Sequence, residues 1–417
     1  MAMTSEKPSD SFRLSMLLYD TRYRSLTIQV IFLLLFMAGA AWLVDNTIQN
    51  LRALGKDFNF GFLNVRAGYD INQRFVEYTN DSTHGRALLI GLLNTLFLAA
   101  ISCVTATVIG VIAGVLRLSK NWIVGRLMTV YIETFRNIPV LLWIIVIFAV
   151  MTESMPAPSA FRGADATSSM LLFDSIAITN RGVYIPEALF SRSLGDVFVG
   201  IFYISNDLLA IVAVVIASVW ANIRLKRHAT AIQEETGIRP VTWWKSLLIL
   251  FGPIVVLLLA LGFHLGLPEL KGFNFVGGTH MRGSLIALWL ALSIYTGAFI
   301  AENVRAGILA ISRGQTEAAY ALGLRPGRTM SLVVLPQALR VIIPPLISQY
   351  LNITKNTSLA IAVGYMDLRS TLGGITLNQT GRELEAMLLM MGIYLVLSLL
   401  ISGAMNVYNR SVALKER

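Results

Sequence analysis

The sequence predicts an all-α, polytopic membrane protein of about eight transmembrane helices, and three observations carry that expectation. Charged residues are only 14% of the 417, against 55% hydrophobic, whereas a soluble domain carries about a quarter charged. The apolar residues fall into runs long enough to cross a bilayer core of about 30 Å, which takes about 20 residues of helix. The Lys and Arg collect at the ends of those runs rather than in a stripe.

In chain order the runs are Leu26–Val44, Leu88–Leu116, Ile138–Met151, Leu208–Ile223, Ser246–Phe263, Ser284–Val304, Leu339–Val363 and Ala386–Val407. The third is short by itself. It is expected to begin near Ile123 and to break at Pro139, since proline cannot continue a helix ladder. The first run competes with a cleavable signal peptide, with Ala38-Gly39-Ala40 as a weak cleavage site. Its leader is long for a signal and contains acidic residues, so an uncleaved anchor is expected.

An even number of spans places both termini on one side. The segments on that side hold the larger share of the basic residues, including Arg22, Arg24, Arg224, Lys226, Arg227, Arg325 and Arg328. Cationic loops stay in the cytoplasm, so both termini are expected to be cytoplasmic. A net charge of +10 raises nucleic-acid binding, but with no basic stripe the membrane explains it better. The single cysteine, Cys103, lies inside an apolar run and supports neither a disulfide framework nor a thiolate metal cluster.

Two long outer segments interrupt the spans. Loop 45–86 carries Phe58, Phe60, Phe62, Tyr69 and Phe75, and reads either as a packed surface loop or as a docking surface. The stretch 152–206 opens on Pro156 and Pro158 and passes through small residues at Ser159–Ser169, as a second loop. The inner stretch Arg224–Lys245 reads as a connector with a short helix ended by Pro240, and Trp243 and Trp244 as interface anchors.

Between the sixth and seventh runs, Ser312 followed by Gln315 forms an S-x-x-Q capping box. Thr316–Leu322 favours helix, Gly323 supplies a left-handed stop, and Pro326 can open a second helix. Pro336 is expected to bend or end that second helix. Pattern alone leaves two readings, a stiff connector or a surface that another protein approaches over Ala318, Ala319 and Ala321.

The spacing Glu317-Ala318-Ala319, Gly323, Val333, Leu335 and Pro336 resembles the EAA loop of permeases in bacterial ABC importers. Around it, Tyr295-Thr296-Gly297-Ala298-Phe299-Ile300-Ala301-Glu302, Arg305, Gly307, Pro336-Gln337-Ala338-Leu339-Arg340, Pro344-Pro345 and Lys355-Asn356-Thr357-Ser358-Leu359-Ala360 resemble the polar amino-acid permeases. Asn94-Thr95 and Phe135-Arg136-Asn137-Ile138-Pro139 extend the likeness upstream. With Phe60-Gly61-Phe62-Leu63-Asn64 and Ala67-Gly68-Tyr69-Asp70-Ile71, the chain is similar to the Q-type permeases of general L-amino-acid or glutamate/glutamine/aspartate/asparagine importers. Arg325 departs from the Ser that such permeases often place there.

That resemblance implies a five-helix ABC type I permease core. It divides the chain into a tail, first span and outer loop at 1–85, the first part of the core at 86–151, an inserted loop with two extra spans at 152–282, and the second part of the core at 283–417, with the coupling loop at 312–336. It implies a permease subunit in a bacterial inner membrane, coupled through Glu317, Ala318, Ala319, Gly323, Leu335 and Pro336 to a separate ATPase, in two copies. A second permease subunit or another copy of this chain, and a periplasmic amino-acid-binding protein, complete the assembly. The chain has no G-x-x-x-x-G-K-[ST] loop, so it is expected to bind no cofactor, with ATP and magnesium on the partner ATPase.

For the substrate path, ionisable residues inside a membrane cost about 2.5–3.5 kcal/mol each and mark function. Glu302 and Lys355 are candidates for the ammonium and carboxylate of an amino acid, and Asn94 and Thr95 for polar contacts along the way. Against these stand structural roles: a Glu302–Arg305 pair at i, i+3, an internal partner for Lys355, and interhelical hydrogen bonds for Asn94 and Thr95. Glu133 and Arg136 are expected to pair at the elbow before Pro139. An ion-coupled secondary transporter is the alternative function and would need no ATPase. A membrane enzyme is excluded by the absence of a convergent set, since His84, His228, His264 and His280 are scattered.

Overall fold

A computed structural model describes residues 21 to 412 apart from 54, 56, 164, 165 and 201; the amino-terminal tail at 1–20 and residues 413–417 lie outside the described residues. The chain forms two units, one ending at Phe62 and one starting at Leu63. The first holds α1 (Thr21–Ala53), longer by nine residues at its carboxyl end than the predicted span because Asp45–Ala53 continues the helix into the outer loop. After it, the Phe58 and Phe60 rings meet edge to face at 5.4 Å.

The second unit is organised around α7 (Gly283–Leu309), 67% of whose most apolar stretch is buried. Packed along it are α2 (His84–Arg117), α3 (Trp122–Asn137), α4 (Val140–Ser154) and α10 (Leu335–Asn356), with α11 (Glu383–Val412) against α10. α2 begins where it does because the Thr83 hydroxyl accepts from the Arg86 N–H. α3 and α4 meet at an angle of 107°. Ile138, held extended ahead of Pro139, makes that bend, and Phe135 stacks on Trp143 across it at 4.1 Å.

Seven helical stretches among the described residues are long and apolar enough to cross a membrane, and the bent pair makes eight. The pair spans the length of α7. Glu133 of α3 shares Arg117 with Glu302 at one end of α7, while Met151 of α4 packs on Ile286 and Ala287 at the other.

The inserted block departs from the expectation in two respects. α5 (Asn206–Thr236) runs unbroken through the predicted connector, and Gly237 at φ +71°, not Pro240, ends it; no helix breaker stands between Arg224 and Thr236. α6 (Trp243–Ala260) packs back on α5. The segments on either side of this helical hairpin form short antiparallel strands, absent from the sequence reading because each is three or four residues long. β1 (Ala177–Thr179), β2 (Gly182–Ile185) and β9 (Thr279–Arg282) make one sheet in the order β1-β2-β9. β3 (Glu187–Phe190) pairs with β6 (Phe263–Gly266), β4 (Asp196–Val199) with β5 (Phe202–Ser205), and β7 (Glu269–Lys271) with β8 (Asn274–Val276). Loop residues Ala67, Ile71 and Tyr78 are buried with Ala87 and Ile90 of α2, so this part of the first outer loop is packed.

Candidate functional site

The loop after α7 folds as predicted in outline, with its own chemistry at the joints. α8 (Arg313–Ala321) starts at Ser312, but the Ser312 side chain makes no cap hydrogen bond. The capping box is therefore not closed; the Gln337 amide donates to the Gln315 carbonyl oxygen at 3.4 Å instead. The far end is fixed firmly. Gly323 sits at φ +77°, with Leu324 N–H on Ala319 O and Gly323 N–H on Tyr320 O, the paired bonds of a Schellman stop.

α9 (Pro326–Thr329) begins on its proline, with Arg325 as a cap residue whose side chain makes no cap bond. It does not stop at Pro336. A π-helical turn at Met330–Val334 carries it into α10, where Pro336 occupies the first turn and needs no amide hydrogen.

Ala319 is turned inward and only 4% exposed, where α8 closes on the π turn. The outer face presents Glu317, Ala318 and Ala321, with Tyr320 exposed at 47% and Leu322 at 83%. Leu335 and Pro336 are exposed on the same loop.

Four charged side chains gather above this loop where α2, α3 and α7 end. Arg117 donates to Glu302 at 2.5 Å and to Glu133 at 3.2 Å, and Arg305 donates to Glu302 at 2.6 Å. Glu302 thus has the expected Arg305 partner and a second one, Arg117, which sequence reasoning missed because the two are 185 residues apart. The expected Glu133–Arg136 pair does not form. Arg136 lies over the Phe299 ring at 5.4 Å, since its side chain leaves α3 toward α7.

Along α2, polar side chains face inward in a seam. Asn94 is fully buried and its amide donates to Gln73 O and Met366 O, both at 2.8 Å. The Thr95 hydroxyl donates to Gly91 O and accepts from Leu368 N–H. Farther along, Thr105 meets Ser293 of α7 and Thr107 meets Tyr350 of α10 at 2.8 Å. Asn94 and Thr95 clamp the chain crossing at 366–368 onto α2. Asp367 there is buried, accepting from the Ser370 N–H at 2.9 Å and from the Tyr394 hydroxyl at 3.4 Å; a lone acid in an apolar stretch was the signal for it. Lys355, in the last turn of α10, is exposed and has no acidic partner among the described residues. Glu302 and Lys355 are not brought into one cluster.

Residues 240–414 match the family described as binding-protein-dependent transport system inner membrane component. Across its whole length the chain is 61% identical to the whole of the glutamate/glutamine/aspartate/asparagine transport system permease protein BztB of Rhodobacter capsulatus. It is 42% identical to the general L-amino acid transport system permease protein AapQ of Rhizobium johnstonii, covering 98% of this chain and 96% of that one. It is also 42% identical to the amino-acid ABC transporter permease protein YhdX of Escherichia coli, over 94% of this chain and 95% of that one.

Proposed function

Because the chain belongs to the family of binding-protein-dependent inner-membrane transport components, as a permease subunit of an amino-acid ABC importer, we propose that it carries polar amino acids, acidic and amide ones foremost, into the cytoplasm. The pore is formed with a second permease subunit or another copy of this chain, and an amino-acid-binding protein delivers substrate from the periplasm. ATP is hydrolysed on a separate ATPase, two copies per assembly, that holds the nucleotide and magnesium; this chain binds no cofactor. Both termini lie in the cytoplasm. The chain divides functionally at 1–85, 86–151, 152–282 and 283–417.

The observation that supports the coupling role best is the open face of α8. Leu322 at 83% exposure and Tyr320 at 47% stand on a helix fixed at Gly323, and they fit a cleft on the ATPase. Closure of two such ATPases would drive α8, and with it α7 and α10, as a rigid body. Glu317, Ala318, Ala319, Gly323, Leu335 and Pro336 make this coupling element, and Glu302, Lys355, Asn94 and Thr95 are the side chains assigned to the substrate path, each at its own place in the core.

Gly323→Asp tests it. A Cβ at 323 meets open space, so the strain is that of a left-handed residue, about 1–2 kcal/mol, too little to unfold the permease. The variant is expected in the membrane at normal amount, with uptake and transport-coupled ATP hydrolysis lost. Normal uptake would sink the docking assignment.

A further inference from the structure

On the side of the core opposite α8, a cavity of about 370 Å³ opens where the inserted strands meet the core helices. Arg181 lines it from the β1–β2 turn, His280 and Arg282 from β9, Thr152 and Ser284 from α4 and α7, and Gly364 from the turn after α10. Its basic groups are assembled by the sheet. Gly182 pairs with Arg282 in the β2–β9 register, and a Cβ at 182 would run into the Met281 carbonyl. Only a glycine lets the two strands come this close, and the approach sets Arg181 beside β9, where its carbonyl contacts the His280 ring at 3.2 Å. The His280 ring in turn stacks on Tyr184 at 4.2 Å.

The charge of the cavity is one-sided. No Asp or Glu lines it, and neither Arg181 nor Arg282 has an acidic partner among the described residues. Arg282 also precedes the first turn of α7, whose amides have no side-chain cap, so the positive end of that helix adds to the two guanidinium groups. Arginine forks match carboxylates in planar, two-point geometry. A basin of this size takes a small molecule rather than a protein helix.

We propose that this cavity is a vestibule for carboxylate-bearing amino acids at the outer mouth of the core, with Arg181 and Arg282 favouring dicarboxylic over amide substrates. The proposal rests on the amino-acid reading above and adds a site that reads substrate charge before the path is reached. One charge-assisted contact is worth enough to shift the preference about tenfold.

The test uses the assembled transporter in liposomes, with saturating binding protein, and compares glutamate with glutamine uptake. For Arg282→Gln the glutamate-to-glutamine ratio is expected to fall about tenfold, with part of it retained in Arg282→Lys, which keeps the charge without the fork. The ratio is internal to each variant and independent of how much complex assembles. If Arg282→Gln does not assemble, the exposed Arg181→Gln carries the same expectation. An unchanged ratio, or an equal fall for both substrates, overturns the vestibule alone. A change that disappears in liposomes without anionic lipid assigns the cavity to a lipid headgroup and also overturns it. Wild-type transporter that takes up neither amino acid overturns the substrate reading and the vestibule together.

Discussion

Arg117 shows how a single side chain can carry a tertiary decision. It stands at the end of α2 with 17% of its side chain exposed and joins Glu133 and Glu302, so three helices end on one guanidinium. Such partly buried pairs are worth more than surface ones, and removing one partner strands the other. Arg117→Ala is expected to cost about 1–2 kcal/mol, seen as a lower thermal midpoint of the purified permease, and Glu302→Gln should cost less in that background than in the wild type, with its Arg305 pair as the remainder. Full additivity of the two would show that they do not interact. His280 gives a pH dependence at the outer sheet. Burial holds its ring below the ordinary histidine value, outweighing the Arg181 carbonyl that draws a proton to it. The unfolded state therefore takes up a proton first as pH falls through the ordinary histidine range of about 6.5, and the β2–β9 pairing loses stability on acidification and regains it as pH rises. Protection of the β2 and β9 amides, taken as the exchange rate relative to the intrinsic rate at each pH, should be weaker at pH 5 than at pH 7.5; equal protection would contradict the assignment.

At the scale of elements, α2 and α7 lie so close that small residues decide the fit. A Cβ on Gly114 would meet the Ala301 carbonyl and Val304, and one on Gly110 would meet Ile300. Helices in a bilayer gain little from burying apolar surface, so close van der Waals contact over small residues does the holding. Gly114→Leu is expected to split this pair and leave little folded permease extractable in mild detergent. Recovery at the wild-type level would show that the seam tolerates bulk. The loop after α7 was legible in sequence because its signals are local: Gly323 ends α8 and Pro326 starts α9. What was not legible is that Ser312 leaves its cap bond unmade and that a π turn carries α9 into α10, with Pro336 in the first turn of α10. Both depend on what Gln337 and the following helix offer in space.

For the whole molecule, the bent α3–α4 pair decides the number of crossings. Neither helix is long enough alone, yet together they connect the two ends of α7. With the pair as one span, four crossings separate the amino terminus from the 224–245 connector, so reporters fused ahead of residue 1 and within that connector are expected to report the same compartment. Opposite compartments would remove one crossing from the count.

By itself the sequence determined the helical membrane class, the order of the spans, the proline break and the stop at Gly323, because apolar run length, proline and glycine act within a few residues of where they stand. Only the tertiary structure decided that Glu302 belongs to Arg117 as well as Arg305, that Asn94 and Thr95 clamp the turn at 366–368, and that the inserted segments pair into strands which set Arg181 and Arg282 around one cavity. Those contacts join residues tens to hundreds of positions apart. The partner of a buried charge or a short strand is chosen by packing geometry, which no local pattern in the chain encodes.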